Sequence, residues 1–178
     1  MRASDFAVTP AHAHVPRASR PSLLATDLKP ENLLLDAIGN IKMADFGWAI
    51  NTEAARQTFC GTLDYLAPEM VNQDTYGPSI DVWALGVLIY EFLCGQPPFA
   101  VVSEPTTEHL SPNNKLRLKA EQRATMKRID SVELPDPALP EASAEVNDLI
   151  KKLLVKDSKQ RLTIQQVLEH PWVKAHAQ

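Results

Sequence analysis

The 178 residues predict a mainly α fold that carries one short β-hairpin near its start. Three patterns lead to it. Between Ile80 and Leu93 apolar side chains fall on every face, with Asp81 and Glu91 the only charges, as in a helix buried at the centre of a domain. Val146, Leu149, Ile150, Leu153 and Leu154 repeat at i, i+3, i+4, i+7 and i+8, the stripe of an amphipathic helix with one core face. Leu33–Leu35 and Ile41–Ala44 flank a turn at Asp36–Asn40 that contains Gly39, a hairpin pattern.

In chain order, residues 1–25 are rich in Ala, Pro, Ser and Arg and have no sustained period, so they read as a poorly ordered lead-in. The hairpin follows, and the aperiodic stretch from Asp45 to Cys60 reads as a loop. Pro68 opens a turn of helix through Val71, because proline suits the first helical position. The apolar helix ends at Gly95, Pro97 and Pro98. Residues 100–118 hold Pro105, Pro112 and Asn113-Asn114 and read as a flexible surface loop, with a helix resuming near Lys119 and running to about Ile129. Ser143 caps the amphipathic helix. Thr163 with Gln166 forms a capping box for a last helix that Pro171 stops.

Composition excludes several classes. With 44% apolar and 22% charged residues, 18 basic against 22 acidic and a net charge of −4, the chain is one soluble domain able to fold without a disulfide or metal staple. No Lys/Arg block is present, so nucleic acid is not an expected partner. The run Val82–Leu93 is broken by Glu91 and is shorter than the roughly 20 residues of a membrane helix, so no membrane association is expected. Cys60 and Cys94 have no metal-ligand spacing and read as ordinary thiols in a reducing, intracellular compartment. His12 and His14 stand two apart but with no further ligand nearby, and His109, His170 and His176 are too scattered for a metal cluster.

The chemistry is concentrated in Asp27-Leu28-Lys29-Pro30-Glu31-Asn32, then Asp45-Phe46-Gly47, then Ala67-Pro68-Glu69. In this order they resemble the catalytic half of a eukaryotic protein kinase, which transfers the ATP γ-phosphoryl group. The resemblance implies that Asp27 is the base for the attacking hydroxyl and that Lys29 contacts the phosphate. It makes Asn32 and Asp45 the ligands of Mg²⁺ and the contacts to ATP. An amide oxygen and a carboxylate at the two ends of a hairpin suit that hard cation. Asp81-Val82-Trp83 with Gly86, then Pro97-Pro98-Phe99 and Arg161 look like the same family's scaffold. There Asp81 braces the catalytic loop, and Arg161 pairs with Glu69 in a structural role.

Asp45-Phe46-Gly47-Trp48-Ala49, the run Thr58 to Leu66 and Leu168-Glu169-His170-Pro171-Trp172 look like the Aurora group of serine/threonine kinases. This makes Thr58 the activation-loop phosphosite, with Arg56 as a basic neighbour; the other reading is an ordinary loop threonine. Thr62 is expected to line the substrate hydroxyl pocket. The implied substrates are proteins with Ser/Thr near basic residues, an activator protein is a further implied partner, and the implied location is the nucleus, spindle or cytoplasm.

Two departures from the family stand out. Residues 1–26 contain no glycine and no lysine, so the Gly-rich loop and the phosphate-clamping strand lysine of the small β-rich lobe are missing. Residues 26–178 then correspond to the large C-terminal lobe alone. Ala25-Thr26 also stand where the family has His-Arg, and 100–118 is longer than usual, as an insert would be. The absent preceding helix is expected to expose apolar surface on the Ile80–Leu93 helix. The expected function is a truncated serine/threonine kinase, inactive alone. Two alternatives stay open: a non-catalytic lobe that docks a partner, and an incomplete gene model in which residues 1–25 are not kinase sequence.

Overall fold

The computed structural model of the chain describes residues 23–24, 28–44, 50–51, 62–101, 112–134, 139 and 141–176. Short strands at Leu23–Leu24 (β1), Leu33–Leu35 (β2), Ile41–Met43 (β3) and Ile50–Asn51 (β4) form two antiparallel ladders. β2 pairs with β3 with Leu34 opposite Lys42, and β1 pairs with β4 with Leu24 opposite Ile50. The first pairing is the expected hairpin. The second places Leu23–Leu24, inside the stretch expected to be irregular, in a strand, because a non-local partner supplies the hydrogen bonds that local sequence does not announce.

The hairpin turn is held by Asp36, whose Oδ1 accepts from the backbone N–H groups of Ile38 (3.1 Å) and Asn40 (2.8 Å). Those bonds to Asn40 hold the Asp36 carboxyl below the usual carboxylate range. Gly39 takes φ of 86°, a left-handed position that a side chain disfavours.

The rest is helical: Pro68–Val71 (α1), Ser79–Cys94 (α2), Pro112–Ser131 (α3), Ala144–Leu153 (α4), Ile164–Leu168 (α5) and Pro171–His176 (α6). α2 is the central element. It buries Trp83 and Val87 completely and ends where Gly95 turns left-handed at φ 82°, its N–H bonding to the Glu91 carbonyl. Trp83 stacks on Phe99 with ring centroids 5.4 Å apart. α4 lies against α2 through Leu149, Ile150 and Leu153, each fully buried; such burial is worth about 1.5–3 kcal/mol per side chain. Gly86 permits the approach, since a Cβ there would lie 2.9 Å from the Leu153 Cβ.

Four expectations need correction or a boundary. α3 begins at Pro112 rather than near Lys119, so the end of the expected 100–118 loop is helix; Pro112 serves as its first residue, where a missing N–H costs nothing. Residues 102–111 lie outside the described residues. Pro171 does not end the helical chain but opens α6 for the same reason. The Thr163 capping box and the Ser143 cap are both present. The expected exposure of α2 holds only at its end, where Phe92 and Leu93 face solvent; the helix body is covered by α4 and the 63–65 turn. Larger apolar exposure lies on the hairpin, at Leu34, Leu35, Ile38 and Ile41.

Candidate functional site

The site is organised by the segment that joins Leu28 to the hairpin. Lys29 is extended, with φ −156° and ψ 161°, and Pro30 then starts a single 3-10 turn through Asn32. Asn32 is 8% exposed, unusual for an amide side chain, and its backbone carbonyl accepts the Ala44 N–H at 2.7 Å. This bond ties the turn to the end of β3, directly before Asp45 in the chain.

From the extended position of Lys29, its Nζ donates to Thr62 Oγ1 at 3.2 Å across 33 residues. Two of the sequence-predicted residues are thereby brought together. Thr62 opens a second 3-10 turn, Leu63–Tyr65, with the Tyr65 N–H bonded to the Thr62 carbonyl at 3.0 Å. Thr62 and Asp81 line one solvent-open pocket together with Tyr65, Leu66, Met70, Ile80 and Ala84. Asp27, Asp45 and Thr58, with Arg56 and Cys60, lie outside the described residues.

Beside the pocket, the Tyr65 hydroxyl donates to Glu91 Oε2. Burial first, then that bond and the charges of Glu91, Glu31 and Asp64, push the phenol well above its ordinary range. Burial and then Glu91 raise the Asp64 carboxyl. Glu31, Asp64 and Glu91 thus form an acidic margin around Tyr65, a feature absent from the expected residue set. Its signal was available in Glu91, the single charge in the second half of an otherwise apolar helix.

The expected structural pair is present. Arg161 Nη1 and Nη2 donate to Glu69 Oε1 and Oε2 at 2.7 and 2.6 Å. Its Nε bonds the Val155 carbonyl, and the remaining protons of Nη1 and Nη2 reach the carbonyls of Ser79 and Lys156. All five guanidinium donors are satisfied, so a side chain with 0% exposure is held without an unmade bond. Its guanidinium carbon also sits 4.9 Å from the Trp83 ring centroid. Glu69 and Arg161 lock α1 to the segment before α5. His170, at 6% exposure, bonds Asp148 at 3.0 Å. Among the described residues no group of His, Cys, Asp and Glu is arranged to hold a metal, and no helix is long and apolar enough to cross a membrane.

Comparison with known proteins bears on the same residues. The protein kinase domain family matches residues 20–173. Over 151 residues the chain is 46% identical to the serine/threonine-protein kinase Aurora-2 of Arabidopsis thaliana, covering 85% of this chain and 47% of that protein. It is 43% identical to Aurora kinase C of Mus musculus over 152 residues, with 85% and 48% covered. Against Aurora kinase A-A of Xenopus laevis it is 43% identical over 153 residues, or 85% of this chain and 33% of that protein. The chain spans about half or less of the length of these relatives. A family match that spans residues 20–173 and takes in Lys29, Thr62, Glu69 and Arg161, with relatives 43–46% identical over 85% of the chain, makes this chain a member of the protein kinase family, of the Aurora serine/threonine type.

Proposed function

We propose that residues 26–178 supply the large-lobe half of a serine/threonine phosphotransfer site. The observation that carries this reading is the Lys29–Thr62 hydrogen bond, which joins the Asp27–Asn32 segment to the wall of the pocket. In this reading the Asp27 carboxylate orients the substrate hydroxyl and takes its proton. The Lys29 ammonium neutralises charge on the phosphoryl group in transfer, and the Thr62 hydroxyl keeps the lysine and the incoming hydroxyl in register. Thr58 accepts the regulatory phosphate.

Protein kinases use ATP with Mg²⁺, which supplies the γ-phosphoryl group and neutralises phosphate charge when bound. An amide oxygen and a carboxylate suit that ion, so Asn32 and Asp45 are the residues that would hold it. The buried Asn32 and its backbone bond to Ala44, the residue before Asp45, support the fit. In this reading Asp81, which lines the pocket with Thr62, braces the catalytic loop.

Protein substrates with Ser/Thr near basic residues fit the acidic margin of Glu31, Asp64 and Glu91, which attracts cationic side chains. The Aurora resemblance adds an activator protein and a setting in the nucleus, spindle or cytoplasm. A second reading, a non-catalytic lobe that docks a partner, is favoured by the exposed Leu34, Leu35, Ile38 and Ile41.

One experiment separates the two. The 178-residue polypeptide alone is expected to transfer no phosphate from Mg·ATP to an Arg-rich serine peptide, because its residues hold no Gly-rich loop. Fused behind the N-terminal half of the Arabidopsis Aurora-2 kinase, it is expected to do so, and Asp27→Asn to lower turnover by at least about a hundredfold. A folded fusion indifferent to Asp27→Asn overturns the catalytic assignment. One that binds ATP but transfers nothing favours the docking module.

A further inference from the structure

α3 is two unlike halves. Its second half is fixed: Thr125 and Ile129 are buried, Asp130 accepts from Asn72 Nδ2 at 2.7 Å, and Arg128 Nη1 bonds the Ala100 carbonyl at 2.9 Å. The first half is exposed, with Leu116 at 71% and Leu118 at 49%. Along one edge Lys115, Lys119, Arg123 and Lys127 follow at i, i+4 spacing, all exposed, with Leu116 on the same face. None of the four has an ion pair among the described residues, whereas the neighbouring Arg117 pairs with Glu121.

This row works against the helix that carries it. Like charges at i, i+4 repel, and cations towards the N-terminus oppose the helix dipole, with no acidic residue in the first turn to offset them. It also stands in a chain whose net charge is −4. Nothing in the packing of α3 requires these cations, since the core contacts are made by Thr125 and Ile129. Negative charge brought from outside relieves both penalties at once.

We propose that the Lys115–Lys119–Arg123–Lys127 edge of α3 is a docking surface for an acidic segment of another protein, one carrying an apolar side chain that seats against Leu116. A membrane surface fits poorly, because it needs a broad apolar face, and the exposed leucines of α3, Leu116 and Leu118, stand two residues apart and do not share a face. A nucleic acid is a long polyanion and meets the acidic charge of the whole chain. A short acidic segment stays within roughly one Debye length, about 8–10 Å, of the row, where the local cations dominate. The surface is independent of phosphotransfer and of whether the pocket is catalytic.

The test uses the 178-residue chain and a fluorescein-labelled peptide of repeated Glu-Glu-Leu units, with the Gln-Gln-Leu peptide, a DNA duplex and phosphatidylserine vesicles as competitors. Binding to the acidic peptide is expected, weakening as salt is raised. Lys115→Glu with Lys119→Glu is expected to lower the affinity at least about tenfold, the loss of roughly 1.4 kcal/mol, while the unfolding midpoint stays level or rises. The rise follows from placing carboxylates near the helix N-terminus, so loss of binding cannot be ascribed to loss of fold. Arg123→Gln serves as a second variant, milder in effect. No binding, equal binding by the charge-reversed chain, or tighter binding to the duplex or the vesicles overturns the proposal.

Discussion

Two of the long-range polar contacts among the described residues, Arg161–Glu69 and Lys29–Thr62, are built on opposite principles. Arg161 and Glu69 meet 92 residues apart with side chains at 0% and 11% exposure, and every guanidinium donor is used. Lys29 and Thr62 meet 33 residues apart through one partly buried bond of 3.2 Å. The first contact has the redundancy that holds elements together. The second lies partly buried at the wall of a solvent-open pocket, where, in the proposed reading, a substrate phosphate engages the same ammonium. Depth of burial, rather than the presence of charge, separates the scaffold contact from the one at the pocket.

The strongest way to break that distinction is Arg161→Ala. It removes five hydrogen bonds together and leaves the Glu69 carboxylate nearly buried without its partner, which costs about 3–5 kcal/mol. The cation over Trp83 goes with it. Urea unfolding of the whole chain is expected to show that loss in the midpoint with an unchanged slope. A loss below about 1 kcal/mol would mean that the pair is ornamental and that α1 is held by the core alone.

Much of this scaffold was legible in the residues. A run apolar on every face pointed to α2, hydrophobic periodicity to α4, and local side-chain chemistry to the Ser143 and Thr163 caps, because all three signals are short-range. The Glu69–Arg161 pair was legible only through family resemblance, since no local pattern links residues so far apart. What escaped was set by context. The β1–β4 pairing depends on a distant partner, and Pro112 and Pro171 fit a helix start as well as a helix stop. The acidic margin at Tyr65 needed the fold to gather Glu31, Asp64 and Glu91 from three segments. Of the expected site residues, the structure unites Lys29 with Thr62, and Thr62 with Asp81, while Asp27, Asp45 and Thr58 lie outside the described residues.

Lys29→Met sharpens the comparison from the other side. It keeps the stem of the side chain and removes the charge and the partly buried bond to Thr62, so stability is expected to fall less than in Arg161→Ala, by about 1 kcal/mol for that bond. In the fusion with a small lobe, turnover is expected to fall far more than that energy accounts for, because the charge acts on the transferring phosphate. If Lys29→Met unfolds the chain as readily as Arg161→Ala, Lys29 belongs to the scaffold and the contrast fails.

The smallest expected effect lies between the two regions, at Asp64. Burial and the nearby Glu91 carboxylate raise its carboxyl above the ordinary value, so the folded state prefers the protonated form. The sign follows from linkage: where the folded state binds more protons than the unfolded chain, stability falls as pH rises through the raised value. At neutral pH the ionised Asp64 therefore works against the fold, and Asp64→Asn is expected to raise the unfolding midpoint slightly. Below the carboxylate range both side chains are neutral and the two proteins should unfold together. Removing a negative charge from the acidic margin should at the same time weaken any preference for basic substrates in the fusion. A stability gain that persists unchanged into acid would trace the effect to packing at the 63–65 turn rather than to repulsion from Glu91, and would leave the acidic margin electrostatically idle.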